Sequence, residues 1–262
     1  MDRTLGPVPV YLLAGGRSSL RKGRDPLLMR ILASCGVPHP SIAYVGAASG
    51  DSRPFFLMIS GYLRACGAGH VTLAPLVGKR AKLDKARATL ESADMVFISG
   101  GDVEAGMEVL EERQILPLLR ELFEKGKPFF GTSAGSIMLA WQWVRWEDPD
   151  DDTTASLLPC MGFAPIVCDT HGETEGWEEL HTLLRLSPEG TQGRLVMASQ
   201  QGPGCVFTPM AHWRRSVLRY TATPTAVAEW CVTLIYYQAS SHERERSRRL
   251  PFCLITSISN RG

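Results

Sequence analysis

Short apolar runs alternate with segments of helical periodicity over the first half of the chain. An uninterrupted apolar run is typical of a parallel strand that is buried on both faces. Apolar residues spaced three and four apart are typical of an amphipathic helix. The pattern predicts strands at 8–14, 42–48, 70–73 and 94–99 and from 129 onward, and helices at 52–66, 84–92 and 105–125.

One helical segment is expected to be interrupted. Pro117 lies inside the 105–125 pattern, and a proline in a helix interior removes a backbone hydrogen bond and clashes with the preceding turn. The sequence therefore predicts a kink or a break near Leu116, with Gly126 ending the helical segment.

Alternating strands and helices predict an α/β fold with a doubly wound, mostly parallel sheet and helices on both faces. Sheets of this kind bind ligands at the carboxyl ends of their strands. Four turns are expected to meet at that edge, at 15–16, 49–53, 100–102 and 131–135.

The pattern weakens after Trp146. Residues 147–152 form an acidic loop, and the remaining signals are a strand at 163–168, a helix at 177–186 and strands at 204–208 and 227–237. We expect one α/β hydrolytic domain over 1–238 with its core at 8–208, followed by a charged tail of uncertain structure at 239–262.

Composition narrows the function classes. The 262 residues include 28 basic and 27 acidic side chains, so charge gives no argument for binding nucleic acid or an anionic membrane. No apolar run has the length of a membrane span, and residues 1–16 lack signal-peptide features. The seven cysteines are scattered without a C-x-x-C pair, which indicates reduced thiols rather than a disulfide framework or a zinc site. We expect a cytoplasmic protein without metal or organic cofactor.

The strongest chemical signal is Gly131-Thr132-Ser133-Ala134-Gly135, which lies between a predicted strand and a helix-forming run. This is the strand–turn–helix context of a nucleophile elbow, in which the central serine stands at the carboxyl end of a strand. The N–H groups and dipole of the following helix can stabilise an oxyanion there. Ser133 is therefore the candidate nucleophile.

A serine nucleophile needs a base. Among the six histidines, His171 follows a predicted strand and precedes Gly172 at a loop that can face Ser133, and His212 is the second choice. The other four, at 39, 70, 181 and 242, lie at positions more typical of structural residues, a helix interior or the charged tail.

Three segments together resemble peptidase family S51, which contains the aspartyl dipeptidases (peptidase E) and the cyanophycinases. They are the Ser133 motif, Ser99-Gly100-Gly101-Asp102 upstream, and Asp169-Thr170-His171 downstream. The resemblance covers about residues 8–186. It implies a fold like that of the class I glutamine amidotransferases, a flavodoxin-like arrangement, with serine in place of their cysteine.

The resemblance also implies roles for individual residues. Ser133 would be the nucleophile and His171 its base, and the backbone N–H groups of Ala134 and Gly101 would form the oxyanion hole. The acid between serine and histidine is best matched by Asp148, with Glu147, Asp150 and Glu173 as alternatives. The segment 147–152 is equally compatible with a solvated acidic loop. A homodimer is a family-level expectation only.

The expected substrate is a small peptide. The acidic residues that follow His171, and Val103 after the Gly-Gly turn, depart from the cyanophycinase pattern. An acidic N-terminal residue of a dipeptide would need a cation, for which Arg53 and Arg17 are candidates. Asp102 is a further candidate substrate-binding residue.

The sequence thus predicts a serine peptidase that works through a Ser-His-Asp/Glu triad and an acyl-enzyme. Two alternatives stay open. One is an α/β-hydrolase-like esterase, whose base would be His212 or His242. The other is a non-catalytic amidotransferase-like scaffold that binds a ligand in the same pocket.

Overall fold

The structure is a computed structural model that describes residues 10–13, 24–78, 81–164, 166–170 and 178–187, with the backbone of further strands between 195 and 259. The α-helices are α1 (Pro26–Ala33), α2 (Arg53–Ala65), α3 (Leu83–Ser92), α4 (Val103–Glu112), α5 (Leu116–Glu124), α6 (Ala134–Leu139) and α7 (Glu178–Leu186). The strands are β1 (Val10–Leu13), β2 (Ile42–Val45), β3 (Val71–Ala74), β4 (Met95–Ile98), β5 (Phe129–Thr132), β6 (Gln142–Trp146), β7 (Ala155–Pro159), β8 (Ile166–Thr170), β9 (Leu195–Ser199), β10 (Cys205–Phe207), β11 (Val217–Tyr220), β12 (Cys231–Ile235) and β13 (Thr256–Ser259).

A six-stranded sheet organises the described fold, in the order β10-β1-β5-β4-β2-β3. Every pairing is parallel except that of the edge strand β10, which runs antiparallel to β1. Strands β1, β5 and β4 are neighbours at the centre, and Leu12 and Ile98 both pair with Gly131. The predicted α/β class with a mostly parallel sheet is confirmed.

Helices cover both faces of this sheet. Tyr44, Phe97 and Phe130 project to one side and pack with buried residues of α1 and α2. Residues next to them in the strands project to the other side, where Ile98 and Phe129 pack with buried residues of α3 to α6. Because both faces are covered, the strands read as continuous apolar runs in the sequence.

The predicted interruption of the 105–125 segment is present. Helix α4 ends at Glu112, Gln114 adopts a left-handed φ of 53°, and α5 begins at Leu116 with Pro117 in its first turn. A proline is tolerated there because the first backbone N–H groups of a helix have no partner within it. The chain breaks just before the proline, and the buried Ile115 side chain anchors the connection in the core.

The second half differs from the prediction in one strand that bears on the site. The sequence predicts a strand at 163–168, whereas β8 runs from Ile166 to Thr170. The N–H groups of Phe163 and Ala164 instead donate to the carbonyl of Leu139 at the end of α6. Asp169 and Thr170 therefore belong to the strand rather than to the loop after it.

Two further sheets complete the topology. Strands β6 and β7 form an antiparallel hairpin, and β11-β12-β13-β9-β8 form a five-stranded sheet in which β8 and β9 are parallel. The sequence pattern did not predict β6, β7, β9, β11 or β13. Strands β10 and β12 lie within the predicted 204–208 and 227–237.

The amino ends of β2 and β4 are joined by a carboxylate. Asp94 accepts hydrogen bonds from the N–H and the hydroxyl of Ser41, at 2.8 and 2.6 Å. These bonds, that from the hydroxyl above all, lower the pKa of Asp94 below its ordinary value of 3.8. A carboxylate whose pKa is lowered by folding stabilises the fold above its unfolded pKa, and this contribution is lost as the pH falls through the folded value.

We therefore expect Asp94→Asn to lower the free energy of unfolding at pH 7, and the gap from wild type to shrink as the pH falls below about 3.8. Urea unfolding of both proteins across pH 2.5–7 measures the gap. Ser41→Ala, which removes the donating hydroxyl, should reproduce part of the effect. A gap that stays constant across this range would contradict the assignment.

Candidate active site

Ser133 occupies the turn between β5 and α6, in the middle of the main sheet. Its backbone has φ 52° and ψ −128°, a conformation that non-glycine residues rarely adopt. Its N–H donates to the carbonyl of Leu13 at 2.9 Å, and its own carbonyl accepts from the N–H of Ser136 at 2.8 Å. The strained backbone is thus fixed from both sides, and the half-buried side chain stands at the carboxyl edge of the sheet.

Two glycines make this turn sterically possible. A Cβ atom on Gly131 would lie 2.5 Å from the carbonyl oxygen of Gly135. A Cβ atom on Gly135 would lie 2.1 Å from the carbonyl oxygen of Ile98, at the end of β4. Both distances are far below van der Waals contact, so any side chain at either position would push α6 away from β5 and β4.

Ser136 ties the first turn of α6 to the strands beneath it. Its fully buried hydroxyl lies 2.8 Å from the carbonyl oxygen of Leu13 and 2.9 Å from that of Gly131, and the N–H of Leu13 donates to it at 2.9 Å. The sequence alone assigned no role to Ser136. A small polar residue three positions after a candidate nucleophile was the available signal.

The Gly100–Asp102 turn lies directly against Ser133. A Cβ atom on Gly100 would be 3.1 Å from the Cβ of Ser133 and 3.6 Å from its Oγ. Gly101 has φ 146°, and a Cβ there would be 2.0 Å from the carbonyl oxygen of Ala48. The structure therefore brings together two of the segments singled out in the sequence, and glycine is required where they meet.

Two candidate substrate-binding residues are in the described part of the chain. Asp102 is exposed and caps α4, since its Oδ1 accepts from the N–H of Ala105 at 3.0 Å. Arg53 is exposed at the first position of α2, directly after the loop that follows β2. Both lie at the carboxyl edge of the sheet. Arg17 lies outside the described residues.

The acidic segment 147–152 forms the turn of the β6–β7 hairpin. Arg145 on β6 contacts Glu104 in the first turn of α4 at 3.1 Å, so the hairpin returns to the edge that carries Gly101. Asp148 is exposed, and its Oδ1 accepts from the N–H of Asp150 at 3.0 Å. Glu147 and Asp150 are exposed as well, and Glu173 lies outside the described residues, so the geometry does not select among the carboxylates.

Strand β8 runs alongside α6 in the opposite direction. The N–H of Trp141, just after α6, donates to the carbonyl of Ile166 at 2.9 Å, and the Sγ of Cys168 lies 3.8 Å from the carbonyl oxygen of Ser136. These two contacts show that β8 runs from the carboxyl end of α6 toward its amino end, where Ser133 lies. His171, the next residue, lies outside the described residues, as do His212 and His242.

Among the described residues, no group of three or more His, Cys, Asp or Glu side chains could hold a metal ion. Within the same residues, no helix combines the length and the apolar character that a membrane crossing requires. The predictions about cofactors, partners and cellular location stay predictions.

The sequence is similar to those of known proteins, and this similarity identifies the family of the chain. The profile of "Peptidase family S51" matches residues 10–193, more than half of the chain. The chain belongs to peptidase family S51. Its membership confirms the predicted resemblance, and it confirms the prediction of a serine peptidase at the level of the family.

Individual relatives match shorter segments. Peptidase E of Pasteurella multocida is 36% identical over 55 residues, which cover 21% of this chain and 24% of that protein. The pyridoxal 5'-phosphate synthase subunit PdxT of Bacillus pumilus is 34% identical over 71 residues, covering 27% and 36% of the two chains. The matched segments thus span about a quarter to a third of these curated relatives.

Among solved structures, one named for a peptidase E protein of Listeria monocytogenes superimposes with a TM-score of 0.50 at 12% identity. The superposition covers 74% of this chain and 89% of that one. At this identity the likeness concerns the fold alone. It agrees with the predicted amidotransferase-like architecture of an S51 protein.

The positive φ of Ser133 leads to a stability prediction. Alanine keeps the Cβ that makes this conformation unfavourable, whereas glycine removes it, so we expect Ser133→Gly to be more stable than Ser133→Ala by about 1 kcal/mol. Chemical denaturation of the two variants measures the difference. The same pair of substitutions at Ser60, inside α2, should show the opposite order, because glycine destabilises a helix interior. Equal stability of the two Ser133 variants would contradict the strain.

Proposed function

We propose that this chain is a serine peptidase that hydrolyses dipeptides or short peptides through an acyl-enzyme, with preference for an acidic N-terminal residue. The observation that carries the proposal is the contact of the Gly100–Asp102 turn with Ser133. A nucleophile and a glycine-rich backbone turn that face one another are the two components that acyl transfer requires. Membership of family S51 supports the same reaction class.

In the proposed mechanism, the Ser133 hydroxyl attacks the carbonyl carbon of the scissile peptide bond while a base accepts its proton. The backbone N–H groups of Ala134 and Gly101 donate to the oxyanion of the tetrahedral intermediate. The protonated base then gives its proton to the departing amine, and water hydrolyses the acyl-enzyme by the same steps in reverse order. Because α6 has only six residues, these individual N–H groups matter more than a long helix dipole.

His171 is the proposed base. Strand β8 runs antiparallel to α6, toward the end of α6 that begins at Ser133, and His171 follows this strand in the sequence. The resemblance to family S51 favours Asp148 as the carboxylate that orients the imidazole and stabilises its protonated form. The β6–β7 hairpin returns to the edge of the sheet that carries Gly101, which is equally compatible with Glu147 or Asp150 in that role.

The preference for an acidic N-terminal residue requires a cation in the substrate pocket, because a carboxylate that leaves water must be paired. Arg53 is the described candidate, since it begins α2 at the carboxyl edge of the sheet. The family match favours a peptidase over an α/β-hydrolase-like esterase. A non-catalytic scaffold remains an outcome of the test below.

The first test is hydrolysis of a dipeptide panel (Asp-X, Glu-X, isoaspartyl-X and neutral-X) by wild type and Ser133→Ala, followed by liquid chromatography. We expect wild type to cleave the acidic members and the variant to lose about 10⁴-fold or more in kcat/KM. Labelling of Ser133 by a fluorophosphonate probe gives a second readout. Absence of both cleavage and labelling in folded wild type would favour the scaffold. Cleavage by wild type that survives in Ser133→Ala would assign the nucleophile elsewhere.

The acid of the triad is tested by Asp148→Asn, with Glu147→Gln and Asp150→Asn as neighbouring controls. If Asp148 orients His171, its variant should lose about 10³–10⁴-fold in kcat with little change in KM, because the imidazole is then held in the wrong tautomer. Both controls should stay near wild type. A wild-type rate for Asp148→Asn would move the role to Glu173 or Glu147.

A further inference from the structure

We propose that Asp51 is a positioning residue that holds the Gly100–Asp102 turn against Ser133, acting through the loop 46–52. The inference deepens the proposed function and rests on it, since the Gly101 N–H is there an oxyanion donor. Asp51 itself does not contact the candidate nucleophile in this scheme. Its effect on the site passes through main-chain contacts.

The Asp51 carboxylate clamps the loop to the end of β3. Its Oδ2 accepts from the N–H groups of Leu76 and Val77, at 2.7 and 2.8 Å. The N–H of Asp51 donates to the carbonyl of Gly46 at 2.9 Å, which closes the loop on its own start. Asp51 adopts a left-handed φ of 52°, so the loop conformation is an unfavourable one that the clamp must hold.

The clamp is half-buried, and one of its carboxylate oxygens is fully enclosed. Asp51 Oδ1 is inaccessible to solvent and makes no hydrogen bond within the described part of the chain. It occupies the place of the missing side chain of Gly46, where a Cβ atom would be only 2.8 Å away. Burial raises the pKa of Asp51, against the effect of the two N–H donors. A carboxylate with one oxygen enclosed and the other accepting two hydrogen bonds has little freedom to change its position.

The other side of the same loop carries the Gly100–Asp102 turn. The carbonyl of Ala48 accepts from the N–H of Asp102 at 2.8 Å and fills the space where a Gly101 side chain would be. The hydroxyls of Ser49 and Ser99 lie 3.4 Å apart. Ala48 thus holds the peptide group that follows Gly101 and contacts Gly101 itself, so a shift of Ala48 would move Gly101 and, through it, the preceding peptide group that carries the Gly101 N–H.

A second carboxylate provides a matched control. Asp94 joins the amino ends of β2 and β4 through Ser41, whereas the Asp51 clamp follows the carboxyl end of β2. Both accept backbone N–H bonds and both stabilise connections between strands. Only the Asp51 clamp is adjacent to the edge that carries Ser133, so a general loss of stability and a loss of positioning can be told apart.

Three substitutions separate the two features of Asp51, which are its hydrogen-bond acceptor and its left-handed φ. Asp51→Asn keeps an acceptor for both N–H groups and tolerates a left-handed φ, so its kcat should stay near that of wild type. Asp51→Gly keeps the φ but removes the clamp, and Asp51→Ala loses both. We expect kcat to fall about 10- to 100-fold in the Ala and Gly variants, less than the 10²–10³-fold loss of an entire oxyanion donor. KM should change less than about threefold.

Two measurements distinguish positioning from general destabilisation. The inhibition constant of a dipeptide aldehyde, whose tetrahedral adduct places an oxyanion on the enzyme, should rise by the same factor as kcat falls. Native-state amide exchange should speed up at least tenfold at Asp102 in Asp51→Ala relative to Leu119 of α5, whose N–H bonds to the carbonyl of Ile115, away from both carboxylates. Asp94→Ala should leave kcat and the Asp102-to-Leu119 ratio near wild type.

The possible outcomes separate the two proposals. Wild type that neither cleaves peptides nor reacts with fluorophosphonate refutes the proposed function, and the exchange ratio then decides whether Asp51 positions the turn. An active wild type whose Asp51→Ala and Asp94→Ala variants behave alike overturns the role of Asp51 alone. Wild-type behaviour of Asp51→Gly would also overturn it, because it would show that only the φ angle matters.

Discussion

The described fold depends on the close approach of main chain to main chain around Ser133. Gly135 lies against the carbonyl of Ile98, and Gly101 lies against the carbonyl of Ala48. Each contact brings together segments that are far apart in sequence, and neither leaves space for a methyl group. The ends of β2, β4 and β5 are thereby joined into one surface. The local strain at Ser133 is sustained because its neighbours are fixed from several directions.

Much of this arrangement could be predicted from the sequence. Continuous apolar runs identified the central strands because helices cover both faces, and Pro117 marked the start of α5 because a proline fits only the first turn. The Gly-x-Ser-x-Gly pattern and the Gly-Gly turn could also be recognised, because their close backbone contacts exclude any side chain and glycine is therefore visible at those positions in the sequence. Strand β8 was displaced in the prediction because Phe163 and Ala164 are as apolar as a strand, and only their hydrogen bonds to Leu139 distinguish them.

The supporting contacts were harder to predict for a different reason. Asp51 binds N–H groups 25 and 26 positions away, and Ser136 binds Leu13 across 123 positions. A single polar residue has no periodicity, and its partner is any backbone group that the fold brings near. The choice among Asp148, Glu147 and Asp150 is difficult for the same reason. These three exposed carboxylates lie in one turn and differ only in the direction that the fold gives each side chain.

Gly101 and Gly135 each contact a backbone carbonyl oxygen, and every amino acid has this group. The side chains at positions 48 and 98 can therefore vary in evolution, within what the core accepts, without altering the surface that the glycines meet. The glycines themselves have no such freedom. A homologue can thus replace most of its sequence and still assemble this corner, and what remains recognisable is a spacing of glycines around one serine.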